Sequence, residues 1–163
     1  MRCAIARKEQ INRVSIDYVK IKKTIGMAET ANHPNQYGLV NRLGYMGKYQ
    51  FHRSTLRTLG FTPKEISRFL YDSALQENAM HRLITYNYNY FLNSGLFACV
   101  GDTIGGVCIT PEGMLAGAHL LGTLSVQHFL LYDGSMKEGY YMGVYVRKYD
   151  GNGTPLTKYM NMF

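Results

Sequence analysis

Three helix-start signals constrain the fold of this chain more than any other feature of its sequence. Thr62-Pro63-Lys64-Glu65 combines an N-cap threonine, a proline at the first helical position and a glutamate that can complete a capping box. Ser73-Ala74-Leu75-Gln76 has the pattern of a second capping box, and Thr110-Pro111 is a third helix start. The helices predicted from these signals cover residues 63–71, 73–91 and 112–131. We therefore expect a mainly α fold.

A further amphipathic helix is predicted ahead of these signals. Apolar residues recur at spacings of three and four from Ile11 to Ala28, so that Glu29 follows at the helix C-terminus. Unpaired carbonyl groups at that end disfavour a negative charge, which favours the protonated carboxyl of a general acid if the group is also partly desolvated. The alternative is an ordinary exposed glutamate at a frayed helix end.

Turn-forming residues divide the rest of the chain. Residues 32–38 predict a loop or a short irregular strand pair, and residues 54–59 predict a short helix that ends at Gly60. The glycine-rich residues 96–109 predict a mobile connection or a hairpin. Gly151-Asn152-Gly153 predicts a turn before a short helical finish.

Length and charge narrow the classes of partner. A chain of 163 residues fits one domain, and its 18 lysines and arginines against 11 aspartates and glutamates give a net charge of +7. Polyanions such as nucleic acid, acidic lipid and bacterial cell-wall polymer are therefore favoured. No apolar run reaches the roughly 18 residues that a membrane span requires. The first residues also lack the apolar core of a secretion signal, so we expect no membrane span and no signal peptide.

Metal and cofactor sites are not indicated. The three cysteines form no C-x-x-C pair, and the five histidines show no i, i+4 pairing. Cys99 and Cys108 flank the glycine-rich segment and could meet across a hairpin, but we expect free thiols.

Three short motifs follow one another along the chain: Glu29-Thr30, then Gly47-Lys48-Tyr49-Gln50, then Ala118-His119-Leu120-Leu121-Gly122. This order resembles the lysozyme-like lytic transglycosylases, which cut peptidoglycan, and especially their phage members. In that family the motifs read Glu-Ser, Gly-Leu-Met-Gln and Ala-Tyr-Asn-Ala-Gly. The resemblance extends over about residues 26–163.

The resemblance implies an α+β lysozyme-like fold that is mainly α, with a short irregular or β-like loop region lining a glycan cleft. It implies a single domain over residues 1–163, in which an N-terminal helix over residues 1–25 leads to the catalytic Glu29. That residue would protonate the bond between N-acetylmuramic acid and N-acetylglucosamine and then act as a base, without a cofactor.

The resemblance also implies which residues contact the sugar. The candidate substrate-binding residues are Thr30, Tyr45, Met46, Gly47, Tyr49, Gln50 and His119. Alternatives remain for several of them. The Gln50 amide could instead satisfy loop backbone groups, the aromatic residues of the turn and Met46 could be core, and His119 could be a core histidine.

The chain departs from the family pattern at three positions, and other functions remain open. His119 and Leu120 stand where relatives have Tyr and Asn, and Thr30 replaces Ser with retention of the hydroxyl. The alternatives are hydrolysis of the goose-lysozyme type and a non-catalytic virion protein that keeps the fold. The expected partners are peptidoglycan and other virion proteins. The expected location is the virion or the host cytoplasm before release, with action in the periplasm or cell wall.

The sequence favours neither a second catalytic carboxylate nor a nucleic-acid partner. Among the candidates for a second catalytic carboxylate, Glu65, Asp72, Glu77 and Glu112 are assigned to helix N-termini, and only Asp102, in the glycine-rich loop, has no such assignment. The tyrosine-rich run of residues 86–91 lies within a predicted helix at core spacing. We therefore expect no nucleic-acid partner.

Overall fold

A computed structural model describes residues 14–163, and it confirms the prediction of a mainly α chain. Helices hold 54% of these residues and strands 10%, so the strands form only two small antiparallel sheets. The α-helices are α1 (Tyr18–Thr30), α2 (Arg53–Thr58), α3 (Pro63–Arg68), α4 (Ser73–Asn93), α5 (Pro111–Leu121), α6 (Thr123–Leu131) and α7 (Leu156–Met160). The strands are β1 (Thr103–Ile104), β2 (Val107–Cys108), β3 (Gly139–Tyr141) and β4 (Val144–Val146). The finer prediction of a lysozyme-like fold stays a prediction.

The described chain divides into two compact units. One contains residues 18–85, and the other contains residues 14–17 and 86–163. Helix α4 contributes to both. No helix in the described range combines the length and the apolar character needed to cross a membrane. The predicted single domain over residues 1–163 stays a prediction.

The first helix is shorter at its start than the sequence pattern predicts. It begins at Tyr18, while residues 14–17 are not helical and residues 1–13 of the predicted helix lie outside the described residues. Backbone groups ahead of the helix are held by tertiary partners, because the Tyr88 hydroxyl donates to Val14 O and the Asp17 amide donates to Glu112 Oε1. The helix continues through Glu29 as far as Thr30, where positive φ angles at the next two residues end it.

The helix starts of residues 53–93 are largely confirmed. Thr62 and Glu65 form the predicted capping box of α3, whose predicted extension to residue 71 is a single 3₁₀ turn. At α4, however, the prediction of a capping box from Ser73 to Gln76 is wrong. The Leu75 amide donates to Asp72 Oδ1, so Asp72 is the cap. Gln76 takes no part in the cap, because its side chain is buried away from the helix start.

The predicted helix over residues 112–131 is two helices. Gly122, with φ +83° and ψ 161°, separates α5 from α6 in a backbone conformation that is almost confined to glycine. The small residues of α5 allow close packing: a Cβ at Gly113 would overlap the Met160 carbonyl, and one at Gly117 would lie 3.0 Å from Leu156 Cδ1. Both contacts are with α7.

Two hairpins complete the second unit. The one predicted for the glycine-rich segment is β1–β2, which turns through Gly105 and Gly106 with φ of +55° and +79°. The β3–β4 hairpin was not predicted. Cys108 is a free thiol as expected, whereas the expectation of a free thiol is wrong for Cys99, which is in a disulfide.

The break between α5 and α6 can be tested at Gly122. Apart from its two chain neighbours, no residue of the described range places an atom within 4 Å of a Cβ added there, so Gly122→Ala meets only backbone strain. We expect the free energy of unfolding to fall by about 1–3 kcal/mol in urea denaturation. The control is Leu121→Ala on the preceding turn, with ordinary helical geometry. A Gly122→Ala variant as stable as the wild type would show that the chain tolerates a continuous helix.

Candidate functional site

The turn that carries the second motif is a tightly bonded segment of the 18–85 unit. Met46 pairs with both Val40 and Phe51 in isolated antiparallel bridges, and the Gly47 amide donates to Leu39 O at 2.7 Å. Gly47 has φ +75°, and a Cβ at this position would overlap the side-chain amide of Gln76. The turn therefore requires glycine for two independent reasons, conformation and space.

Gln76 is the buried residue that fixes this turn to the rest of the unit. Its side chain has no exposure, and Nε2 donates to Tyr37 O at 2.9 Å and to Phe69 O at 2.8 Å. Its Oε1 accepts from the Lys48 amide at 2.9 Å. A fully buried amide is stabilising only when its hydrogen bonds are made. Gln76 makes these bonds with backbone groups of three separate segments, which it thereby joins.

The neighbouring residue on α4, Glu77, accepts from an unusually large set of donors. Its Oε1 accepts from the Tyr49 hydroxyl at 2.7 Å, the Tyr37 hydroxyl at 2.8 Å and Lys48 Nζ at 3.0 Å. Its Oε2 lies 3.2 Å from Lys22 Nζ, which also donates to the Glu77 carbonyl. We call these five residues the Glu77 cluster. It joins α1, the 36–38 segment, the 46–51 turn and α4.

These contacts determine the charge of the cluster. Burial acts to raise the pKa of Glu77, but hydrogen bonds from Tyr49, Lys48, Tyr37 and Lys22 outweigh it and lower the pKa to about 2. Burial acts to lower the pKa of Lys48, yet its bonds to Glu77 and Tyr37 leave that pKa raised. Burial and the bond to Glu77 raise the pKa of Tyr49. At neutral pH the cluster therefore holds an ionised carboxylate and an ionised Lys48.

Lys48 also brings the turn against α1. A Cβ at Gly26 would lie 2.9 Å from Lys48 Cε and 3.3 Å from its Cγ, so the aliphatic part of the lysine occupies the space that glycine leaves on the helix. Its Nζ lies 5.0 Å from the Tyr49 ring centroid and 5.2 Å from that of Tyr37.

Glu29 lies one turn beyond Gly26 on α1. The buried residues of this helix are Ile21, Ile25, Gly26 and Thr30. Because Glu29 follows Ile25 by four residues and Gly26 by three, it lies on the buried face of the helix, where it is half-buried. The next residue, Thr30, is nearly fully buried and donates its hydroxyl to Gly26 O.

The predicted sugar contacts of the turn differ in their exposure. Met46 and Tyr49 lie in the core, with 3% and 0% exposure, whereas Tyr45 is exposed and lies 5.3 Å from the His52 ring, centroid to centroid. Gln50 Nε2 donates to Gly47 O at 2.8 Å within the turn itself. Their roles in substrate binding stay predictions.

His119, the remaining candidate, belongs to the other unit. It is half-buried on α5, two residues beyond Gly117 and three before the Gly122 break. Its predicted contact with substrate also stays a prediction.

Sequence reasoning missed the Glu77 cluster. It assigned Glu77 to the helix N-terminus, but Asp72 caps α4 and Glu77 pairs with two lysines. A usable signal was present: Gln76 and Glu77 open a helix whose next buried residues are Ala79 and Met80, so two polar residues stand at the start of a core-facing stretch.

Comparison with known proteins adds no assignment. The chain matches no protein-family model, no curated protein and no solved structure. Within residues 14–163, no group of three or more His, Cys, Asp or Glu side chains is placed to hold a metal ion.

The charge of the Glu77 cluster gives a testable stability effect. Glu77→Gln leaves two lysines beside an uncharged amide, so we expect a loss of about 1–3 kcal/mol at pH 7, an estimate reduced because a third of the Glu77 side chain is exposed. The folded pKa of about 2 lies below the ordinary value of 4.5, so the carboxylate stabilises above pH 4.5. Its contribution is lost as the pH falls from 4.5 toward 2.

Urea denaturation of wild type and variant at several pH values measures this difference. The matched control is Glu138→Gln, an exposed glutamate with no ion pair among the described residues. A Glu77→Gln difference that is absent at pH 7, or that grows on acidification, would contradict the assigned charge state.

Proposed function

We propose that this protein cleaves the glycan strands of peptidoglycan between N-acetylmuramic acid and N-acetylglucosamine, with Glu29 as both acid and base. The observation that carries the proposal is the packing of Lys48 on Gly26. It sets the Gly47–Gln50 turn against the face of α1 on which Glu29 follows one turn later. The two motifs that resemble the transglycosylase pattern are therefore adjacent within one unit.

The other carboxylates of this unit are unsuited to proton transfer. Besides Glu29 the unit contains Glu65, Asp72 and Glu77. Glu65 closes the α3 capping box, and Asp72 caps α4 and lies 3.7 Å from Arg68. Glu77 is held ionised by hydroxyl and ammonium donors on both of its oxygens. These roles favour a mechanism with a single catalytic carboxylate.

The reaction then follows from one carboxyl group that is used twice. Glu29 donates a proton to the glycosidic oxygen, and the C1–O bond breaks while the substrate's acetamido group stabilises the positive charge at C1. The Glu29 carboxylate next removes the proton from the muramic acid C6 hydroxyl. A C1–O6 bond forms, which gives a 1,6-anhydro end and restores protonated Glu29. Attack by water in place of the C6 hydroxyl would give goose-type hydrolysis.

We assign sugar contacts to two residues of the turn. Tyr45 presents an exposed ring of the kind that packs on pyranose faces. Gln50 uses Nε2 on Gly47 O, and no described residue donates to its Oε1, which leaves an acceptor for a sugar hydroxyl or amide. We assign ring packing to Tyr45 and acceptance of a sugar hydrogen bond to Gln50.

The proposed setting follows the phage members that the sequence resembles. The enzyme would be carried in the virion or held in the host cell before lysis, and it would act on the wall. The alternative of a non-catalytic virion protein predicts wall or subunit binding without cleavage.

Digestion of purified peptidoglycan tests the proposed role of Glu29. We expect the wild type to release soluble muropeptides with 1,6-anhydro ends, detected by mass spectrometry. Glu29→Gln, which keeps the side-chain volume and removes the acid, is expected to lower the rate by about 100-fold or more. Glu138→Gln in the other unit is the matched control and is expected to keep the wild-type rate.

Three results would overturn parts of this proposal. Equal rates for wild type and Glu29→Gln would remove Glu29 from the mechanism. Reducing ends in place of anhydro ends would replace transglycosylation by hydrolysis. Intact sacculi that retain bound wild-type protein would favour the non-catalytic alternative.

A further inference from the structure

A cavity of about 440 Å³ opens at the Glu77 cluster, with which it shares Lys22, Lys48 and Glu77, and the proposed cleavage uses none of its other lining residues. It lies entirely within the 18–85 unit. Its lining residues are Val19, Lys22, Lys23, Met27, Asn32, Gln36, Lys48 and Glu77. The volume is that of a site for a small molecule.

The charge of the lining is positive. Three lysines face one glutamate, which leaves two net positive charges in a concave site. Glu77 is ionised, but donors from Tyr37, Tyr49, Lys48 and Lys22 already surround its oxygens. The charge of Glu77 is therefore paired within the cluster, and Lys23, together with the unused donors of Lys22 and Lys48, is available to a ligand.

Hydrogen-bond capacity supports the same conclusion. An ammonium group has three donors, of which Lys22 uses two on Glu77 and Lys48 uses two on Tyr37 and Glu77. One donor remains on each. The ammonium group of Lys23 has no hydrogen-bond or ion-pair partner among the described residues, so all three of its donors remain.

Two side-chain amides add neutral donors to this set. Asn32 and Gln36 line the same cavity, and neither side chain has a hydrogen-bond partner within residues 14–163. Asn32, two residues beyond the end of α1, has φ +59°. The lining also contains the exposed apolar side chains of Val19 and Met27, which lie on α1 with Lys22 and Lys23.

The ligand chemistry follows from these groups. Lysines bind phosphate as point charges, whereas planar carboxylates are matched best by arginine, and the described lining of the cavity contains lysines and no arginine. A phosphate monoester carries a charge of about −1.5 to −2 at neutral pH, which balances the two net positive charges. We propose that this cavity binds a small phosphate monoester, with its phosphate on the three lysines and its organic part beside Val19 and Met27.

Calorimetric titration of the full chain tests this site. The probes are inorganic phosphate and glycerol phosphate, with acetate for carboxylate chemistry and chloride to hold the ionic strength constant. We expect saturable one-site binding of both phosphate probes. Lys23→Gln is expected to weaken it by about fivefold or more, because three charge-assisted donors are removed without loss of a structural contact.

Lys64→Gln is the matched control, since it removes the same charge from an exposed lysine of the same unit outside the cavity. Unfolding midpoints equal to that of the wild type establish that both variants are folded. Absence of saturable phosphate binding would overturn the proposal. Equal weakening of phosphate binding by Lys64→Gln would also overturn it, because binding would then depend on the general positive charge of the surface. Acetate binding as tight as phosphate binding would overturn the proposed ligand class.

Discussion

The ionised carboxylate of Glu77 is the interaction on which the 18–85 unit depends. It accepts from two tyrosine hydroxyls and two lysines, and these donors come from α1, the 36–38 segment and the 46–51 turn. Such a group is costly to desolvate alone and stabilising only with its full set of partners. The adjacent Gln76 makes the corresponding neutral connection through three backbone groups. Two consecutive residues of α4 thus hold the local geometry.

This arrangement separates two tasks between two glutamates. Glu77, with its pKa near 2, is kept in one charge state and serves as a fixed anchor. Glu29 lies at the end of α1 on the same buried face as Gly26, against which the anchored Lys48 packs. In the proposed mechanism only Glu29 exchanges protons, while Glu77 holds the 46–51 turn in place against α1.

Local signals predicted most of the helices, and tertiary contacts explain the differences. The capping box of Thr62 and Glu65 involves only neighbouring residues, so the sequence alone was sufficient to predict it. The break between α5 and α6 at Gly122 could not be predicted from the sequence, because a glycine within a helical pattern is also compatible with an unbroken helix.

The motif residues of the candidate site were recognised from their order along the chain, but the group that supports them was not. Glu77 follows a genuine helix start, and a position near a helix N-terminus is by itself enough to account for an acidic residue. Its real partners are 28 or more residues away in sequence, as with Tyr49 and Lys48. Hydrogen exchange on Glu77→Gln tests this central claim most directly: we predict faster amide exchange in both the last turn of α1 and residues 46–51, and faster exchange confined to α4 would contradict it.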